Sequence, residues 1–388
     1  MVVTRMNSRE ILDKLVSFDT VSRNSNLPLL DWVEAYLSTH GVRARRVFDE
    51  TGQKANLWAT IGPSENLGYI LSGHTDVVPV DGQDWSSDPF QIKEQNGQLY
   101  GRGTADMKGF VACVLAAVPA MARAELSQPI HLAFSYDEEV GCVGVRTLLD
   151  DLKSNGQSAA GAIIGEPTGM EVVVGHKGKR GMICEVTGKS AHSSLAPQGV
   201  NAVDYASRVI IKIRDMADEL AAKGVRDSLF DIPHSTGHTG TIQGGAALNI
   251  VPEYCRFEFE FRTIASDDYG QLISEVEAYA RDELEPKMKA VAPETGFKFT
   301  EKAEAPGLET DPDADVVTLA KNLAGKNSHA KVAYGTEAGL FTNYLDIPCV
   351  VCGPGHIAQA HKPDEFIAID QLAACDQFLG RLVQHSSR

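Results

Sequence analysis

Short apolar segments that alternate with helix-like ones constrain this chain more than any other feature. Asn56–Ile61, Tyr69–Ser72, Ile130–Ser135, Ala162–Gly165 and Glu171–Val174 read as strands, and Met107–Arg123 and Val143–Leu152 as helices. Such alternation predicts an α/β sheet with helices on its faces. The same texture returns near the end, with Asp313–Leu323 helical, Cys349–Cys352 strand-like and Asp370–Gln384 helical.

The middle of the chain reads differently. Gly181–Thr187 is a strand candidate, and Val200–Ala222 carries a helical stripe through Val203, Ala206, Val209, Ile210, Ile213, Ala217 and Leu220. After the Gly- and Thr-rich Gly237–Gly245, residues Tyr254–Arg262 alternate strictly. Cys255, Phe257, Phe259 and Phe261 share one face, and Arg256, Glu258, Glu260 and Arg262 the other. That is a half-buried strand of an antiparallel sheet. A helix at about Asp267–Leu284 and a strand at Phe297–Lys302 complete a strand–helix–strand–strand–helix–strand order, the ferredoxin-like pattern. The expected organisation is a larger α/β domain of residues 1–178 and 296–388, interrupted by a small α/β sandwich over 179–295.

Composition narrows the function classes. With 36 Lys and Arg against 52 Asp and Glu, the net charge is −16, which argues against general binding to nucleic acid or anionic membrane. Seven cysteines at 113, 142, 184, 255, 349, 352 and 375 form no disulfide framework and favour a reducing compartment. The Cys349/Cys352 pair sits in a buried-strand pattern and reads as structural rather than redox-active or metal-binding. Asn7–Val21 resembles an amphipathic helix rather than a signal peptide. The longest apolar stretch, Gly109–Ala122, is too short to span a bilayer and fits a buried helix. A cytoplasmic location is expected.

Several motifs place chemistry at element ends. His74-Thr75-Asp76 follows an apolar strand, and at strand spacing its two ends share a face, where Asp76 can orient the histidine. The carboxyl end of a strand is where α/β sheets bind ligands. Gly101–Gly109 precedes the long apolar helix, and Asp106 is either its N-cap or a carboxylate turned into a site. Asp137-Glu138-Glu139 closes another apolar strand, where acids are costly unless paired or metal-bound. Glu166 ends a third strand, and His361 follows the Cys349–Cys352 strand. Each motif alone has a bland reading as a cap or a solvated face.

Together they form a set. His74, Asp106, Glu139, Glu166 and His361 supply two imidazoles and three carboxylates, a suitable oxygen–nitrogen shell for two divalent ions. Glu138 is then left as an unligated base. Rival chemistries fit poorly. There is no Gly-x-Ser-x-Gly elbow. Gly188-Lys189-Ser190 ends like a P-loop, but the motif's first glycine would fall on Ile183. A two-carboxylate glycosidase leaves both histidines unexplained.

Taken in order, Ser72–Asp76, Gly101–Gly109, Asp137–Glu139, Gly165–Pro167 and His361 resemble the M20 family of metallopeptidases and deacylases, from about Leu12 to Phe366. The stretches His74–Asp81, Glu138–Cys142, His176–Gly178 and Gly244–Pro252 resemble the branch that cleaves N2-acetyl-L-ornithine in arginine biosynthesis. The resemblance implies a cytoplasmic di-zinc amidohydrolase, with cobalt as a substitute. In it Asp106 bridges two zinc ions. His74 and Glu166 complete one shell, Glu139 and His361 the other, and Asp76 orients His74. Glu138 moves the proton. The inserted domain is implied to be a lid and homodimerisation domain. Its His192 reaches the partner's site to stabilise the oxyanion, and Asn249 and Arg262 hold the substrate carboxylate. Sister activities on N-succinyl-diaminopimelate or dipeptides, and a catalytically silent metal-binding scaffold, are the alternatives.

Overall fold

The computed structural model describes residues 6–387. The chain divides into two compact units. One is built from the chain up to Gly175, from Leu308–Lys331 and from Thr336 onward. The other comprises His176–Gly307 with Val332–Gly335.

The first unit is built on a mixed sheet. Its strands lie in the order Ala44–Phe48, Ala55–Ile61, Ile130–Ser135, Tyr69–His74, Gly161–Pro167, Cys349–Gly353, Val173–His176 and Leu308–Glu309, with Ala330–Val332 paired to Val173–His176. Tyr69–His74 runs parallel to both of its neighbours, and Cys349–Gly353 runs parallel to Gly161–Pro167. Ile130–Ser135, Tyr69–His74, Gly161–Pro167 and Cys349–Gly353 are buried along their whole length, as strands covered on both faces must be. Register sets the site. His74 lies opposite Ser135 and Ser72 opposite Ile164, so His74, the turn after Ser135 and Glu166 all reach the same end of the sheet.

Helix Lys108–Met121 is almost wholly buried and packs against the helices Ser8–Val16 and Ile369–Ser386. Its Phe110 fills the space over Gly165. A Cβ on Gly165 would lie 2.0 Å from Phe110 Cγ, so only glycine fits before Glu166. The first helix is shorter than the Asn7–Val21 expected. Asn7 and Glu10 form a capping box at its start, it ends at Val16, and Val21 instead bridges to Val77. A small sheet of Lys93–Gln95, Gln98–Tyr100 and Phe366–Ala368 was not foreseen, because its three-residue strands carry no readable period.

The second unit is a four-stranded antiparallel sheet in the order Thr236–Gly244, Tyr254–Thr263, Gly178–Thr187 and Gly296–Ala305. With the helices Ala202–Lys223 and Tyr269–Ala278 it has the ferredoxin-like order. Cys255, Phe257, Phe259 and Phe261 point into its core with Val209, Ile213 and Val276. This unit extends to Gly307, beyond the expected limit at 295. Gly296–Ala305 pairs with Gly178–Thr187 as an edge strand and belongs to this sheet.

Candidate metal centre

The site is assembled in the first unit at the carboxyl end of its sheet. His74, the last residue of its strand, is fully buried. Its Nδ1 lies 2.9 Å from the Asp76 carbonyl oxygen, an N–H donor contact that directs Nε2 toward the acids. Nε2 is 3.1 Å from Asp106 Oδ1 and 3.8 Å from Glu166 Oε1. The other Asp106 oxygen, Oδ2, lies 3.3 Å from His361 Nε2, which is 2.9 Å from Glu139 Oε2. One carboxylate therefore spans two histidine–glutamate pairs.

Asp76 has more duties than its expected one. Its carboxylate is 3.5 Å from His74 Nδ1, farther than its own carbonyl oxygen. Oδ1 accepts the Glu138 N–H (3.1 Å), and Oδ2 accepts the Ser22 hydroxyl (2.7 Å) and the Glu139 N–H (3.4 Å). Asp76 thus holds the acidic turn as well as flanking the histidine. The three acids of that turn separate by partner. Asp137 is paired with Lys54 Nζ at 2.6 Å, whereas Glu138 and Glu139 enter the cluster. Ligand atoms of His74, Glu138 and Glu166 lie within 4.8 Å of one another, as do those of His74, Asp106 and Glu139. Cys142 donates its thiol to Glu138 Oε1 at 3.2 Å.

Crowding so many acids in a dry site controls their ionisation. Burial, with Glu139 and other acids nearby, pushes Glu138 up to about 8. Burial and Asp106 push Glu139 up to about 7, and the same two causes raise Glu166 well above the carboxylate range. Asp106 is held low despite burial by His361 and His74. Hydrogen bonds to Asp106 and Glu139 raise His361 to about 10. Glu139 Oε1 is buried without a hydrogen-bond partner. Orphaned acceptors and mutually repelling carboxyls are costly, and cations relieve both. A nitrogen–oxygen donor set of this kind suits zinc-like divalent ions, so the residues fit a metal pair.

Three further residues were not singled out from sequence. Glu337 is buried and accepts the Ser135 hydroxyl at 2.6 Å, and burial pushes it up to about 7. Arg102 and Glu365 form a buried pair at 2.8 Å. Arg102 lies inside the Gly101–Gly109 motif and Glu365 four residues after His361, and their charge beside Asp106 and His361 was the available signal.

The remaining candidates lie in the second unit. His192 is exposed, and its Nδ1 accepts the Ser194 N–H at 3.3 Å and lies 2.8 Å from the Ser194 hydroxyl. The Asn249 carbonyl accepts the neighbouring Ser193 N–H at 3.0 Å. Arg262 is not free: its Nε donates to Glu260 Oε1 at 2.9 Å.

Residues 70–385 match the profile of peptidase family M20/M25/M40. An acetylornithine deacetylase of Pasteurella multocida is 34% identical over 371 residues, covering 95% of this chain and 93% of its own length. The M20 metallo-carboxypeptidase Sso-CP2 of Sulfolobus solfataricus superposes with a TM-score of 0.76 at 19% identity, over 98% of this chain and 99% of that one. A dinuclear metal-binding M20 peptidase of Bacillus subtilis superposes with a TM-score of 0.70 at 15% identity, over 97% and 96%.

Proposed function

The chain belongs to peptidase family M20/M25/M40 and is a hydrolase acting on amides, and from that premise we propose that it removes the acetyl group from N2-acetyl-L-ornithine. Acetate and L-ornithine are the products, and the step serves arginine biosynthesis. The observation that carries the reading is Asp106, whose two oxygens face His74 with Glu166 and His361 with Glu139. These five residues would hold two zinc ions, with cobalt as a working substitute. Bound there, the ions would polarise the scissile carbonyl and lower the pKa of a water.

The chain's own groups do the rest. Glu138 takes a proton from the water whose oxygen attacks the acetyl carbon. As the C–N bond breaks, Glu138 returns that proton to the departing amine. Asp76 fixes the turn carrying Glu138 through the Glu138 N–H. His192, whose Nδ1 is engaged by Ser194, is suited to donate to the oxyanion through Nε2, and Asn249 and Arg262 to receive the substrate carboxylate once Arg262 leaves Glu260.

His192 would be supplied by the second copy of a homodimer. Support comes from the outer edge of strand Thr236–Gly244, next to which Ile242, Leu248 and Ile250 are exposed. A cytoplasmic location agrees with seven free, buried cysteines, and no helix among the described residues is long and apolar enough to cross a membrane.

The test is amine release from N2-acetyl-L-ornithine, N-succinyl-diaminopimelate and a simple dipeptide, before and after chelation and zinc return. Zinc-restored release fastest from N2-acetyl-L-ornithine is the expected result. Faster release from another substrate overturns the specificity. No release from any would move the silent scaffold to first place.

A further inference from the structure

The carboxylate of Glu365 is saturated by the loop that carries Asp106. Oε2 accepts Arg102 Nη1 at 2.8 Å and the Gly103 N–H at 3.0 Å, and Oε1 accepts the Ala105 N–H at 2.9 Å and the Asp106 N–H at 3.0 Å. With four donors in place and 1% exposure, Glu365 is no ligand itself. The small sheet delivers it: Phe366 pairs with Tyr100, and the Gly101 N–H donates to the Glu365 carbonyl at 2.9 Å.

Arg102 carries the connection to the other side of the site. Its Nη1 donates to the Lys362 carbonyl (3.3 Å) and its Nη2 to Gln83 Oε1 (2.5 Å). Gln83 Nε2 donates to the carbonyl of His361 at 3.1 Å. The Trp85 ring covers the guanidinium at 5.0 Å, and its Nε1 donates to Gln83 Oε1 at 3.0 Å. The turn so held needs holding. His361 has φ +64° and Asp364 φ +55°, a left-handed backbone that such residues seldom adopt unaided.

We propose that Glu365, Arg102 and Gln83 form a positioning clamp that fixes the distance between Asp106 and His361, and so the affinity for the ion those two share with Glu139. The inference rests on the two-ion reading above. The ion facing His74 and Glu166 shares only Asp106 with the clamped loop and takes its other two ligands from strand ends outside it, so the two affinities should separate when the clamp is weakened. Residues that orient ligands from behind typically change metal affinity about 10–100-fold.

The experiment is calorimetric zinc titration of the chelated full chain, with cobalt absorption spectra in parallel, for wild type, Glu365→Gln and Gln83→Ala. Gln at 365 turns an NH2 group toward N–H donors, whereas Gln83→Ala removes the tie to His361 and the acceptor for Arg102 Nη2 and Trp85 Nε1 but leaves every contact of Glu365 in place. The expected result is two ions in wild type. In Glu365→Gln one ion should bind at least tenfold more weakly, with a changed cobalt spectrum, and the other should lose clearly less. Gln83→Ala should weaken the same ion less. Both ions unchanged, or both weakened equally, overturns the clamp and leaves a structural role only. If Glu365→Gln does not fold, Gln83→Ala decides, and an unchanged weaker ion refutes the proposal. Fewer than two ions in wild type would instead refute the two-ion reading, and the clamp with it.

Discussion

Acid should destabilise the first unit through His131, a residue outside the metal site. His131 sits in the core strand Ile130–Ser135, stacked on Trp58 with ring centroids 5.0 Å apart and planes 18° apart. Its Nδ1 is 3.0 Å from the Thr60 hydroxyl, and its Nε2 is buried without a partner. Burial alone lowers its pKa from 6.5 to about 4. Between those values the unfolded chain binds a proton that the folded chain refuses, so stability rises with pH across the window. The contribution is complete above 6.5 and is lost as pH falls toward 4. Its full size is about 3 kcal/mol, of which about 2 kcal/mol is gone by pH 5. His131→Phe keeps a ring on Trp58 and removes the titration. The assay is urea unfolding at pH 7 and pH 5, followed by tryptophan fluorescence. Trp32, Trp58 and Trp85 all lie in the first unit, so the signal reports that unit alone. Both proteins are compared in the same metal state, so titration of the site acids cancels. Wild type should lose about 2 kcal/mol more than the variant. Equal losses would refute the claim that His131 is held neutral.

Glu138→Gln should lower turnover by about 10²–10⁴-fold, with zinc content by atomic absorption unchanged; activity within a fewfold of wild type would remove Glu138 from the proton path. His192→Ala should reduce kcat far more than it raises KM. Mixing it with Glu138→Gln protomers should recover partial activity, and no recovery would place the whole site within one chain. Gly165→Ala must displace Phe110, at a cost of about 1–3 kcal/mol or more, and it should lower zinc occupancy through the adjacent Glu166. A thermal midpoint equal to wild type would show that the helix yields freely.

The sheet and the convergence of the cluster were legible for the same reason. Buried strands read as unbroken apolar runs, and a charged residue just past such a run has nowhere to lie except at the sheet's end. That logic reaches His74, Glu139 and Glu166 directly. It fails where position depends on pairing between distant loops. Glu365 meets Asp106 across 259 residues through a sheet of three-residue strands, a contact without periodicity to announce it. Glu337 was missed similarly, since a lone acid before a short helix looks like a cap until Ser135 is found against it. The alternation that placed Arg262 on the polar face of its strand could not show that Glu260, two residues earlier on that face, already engages it. The expected limit at 295 stopped short of the strand Phe297–Lys302 that the ferredoxin-like order itself requires. Sheet pairing carries it through Ala305.

The strand order has a consequence for how the chain is made. Cys349–Gly353 lies between Gly161–Pro167 and Val173–His176, yet it leaves the ribosome about 180 residues after the first of these. At about 5–20 residues per second the nascent first unit waits some ten seconds or more with the outer edge of Gly161–Pro167 unpaired, since every strand that pairs with Val173–His176 also comes later in the chain. The second unit is contiguous apart from Val332–Gly335 and can complete its sheet during that wait. His361 follows that strand in the chain, so on the proposed two-ion reading the ligand set is complete only after Cys349–Gly353 has been made.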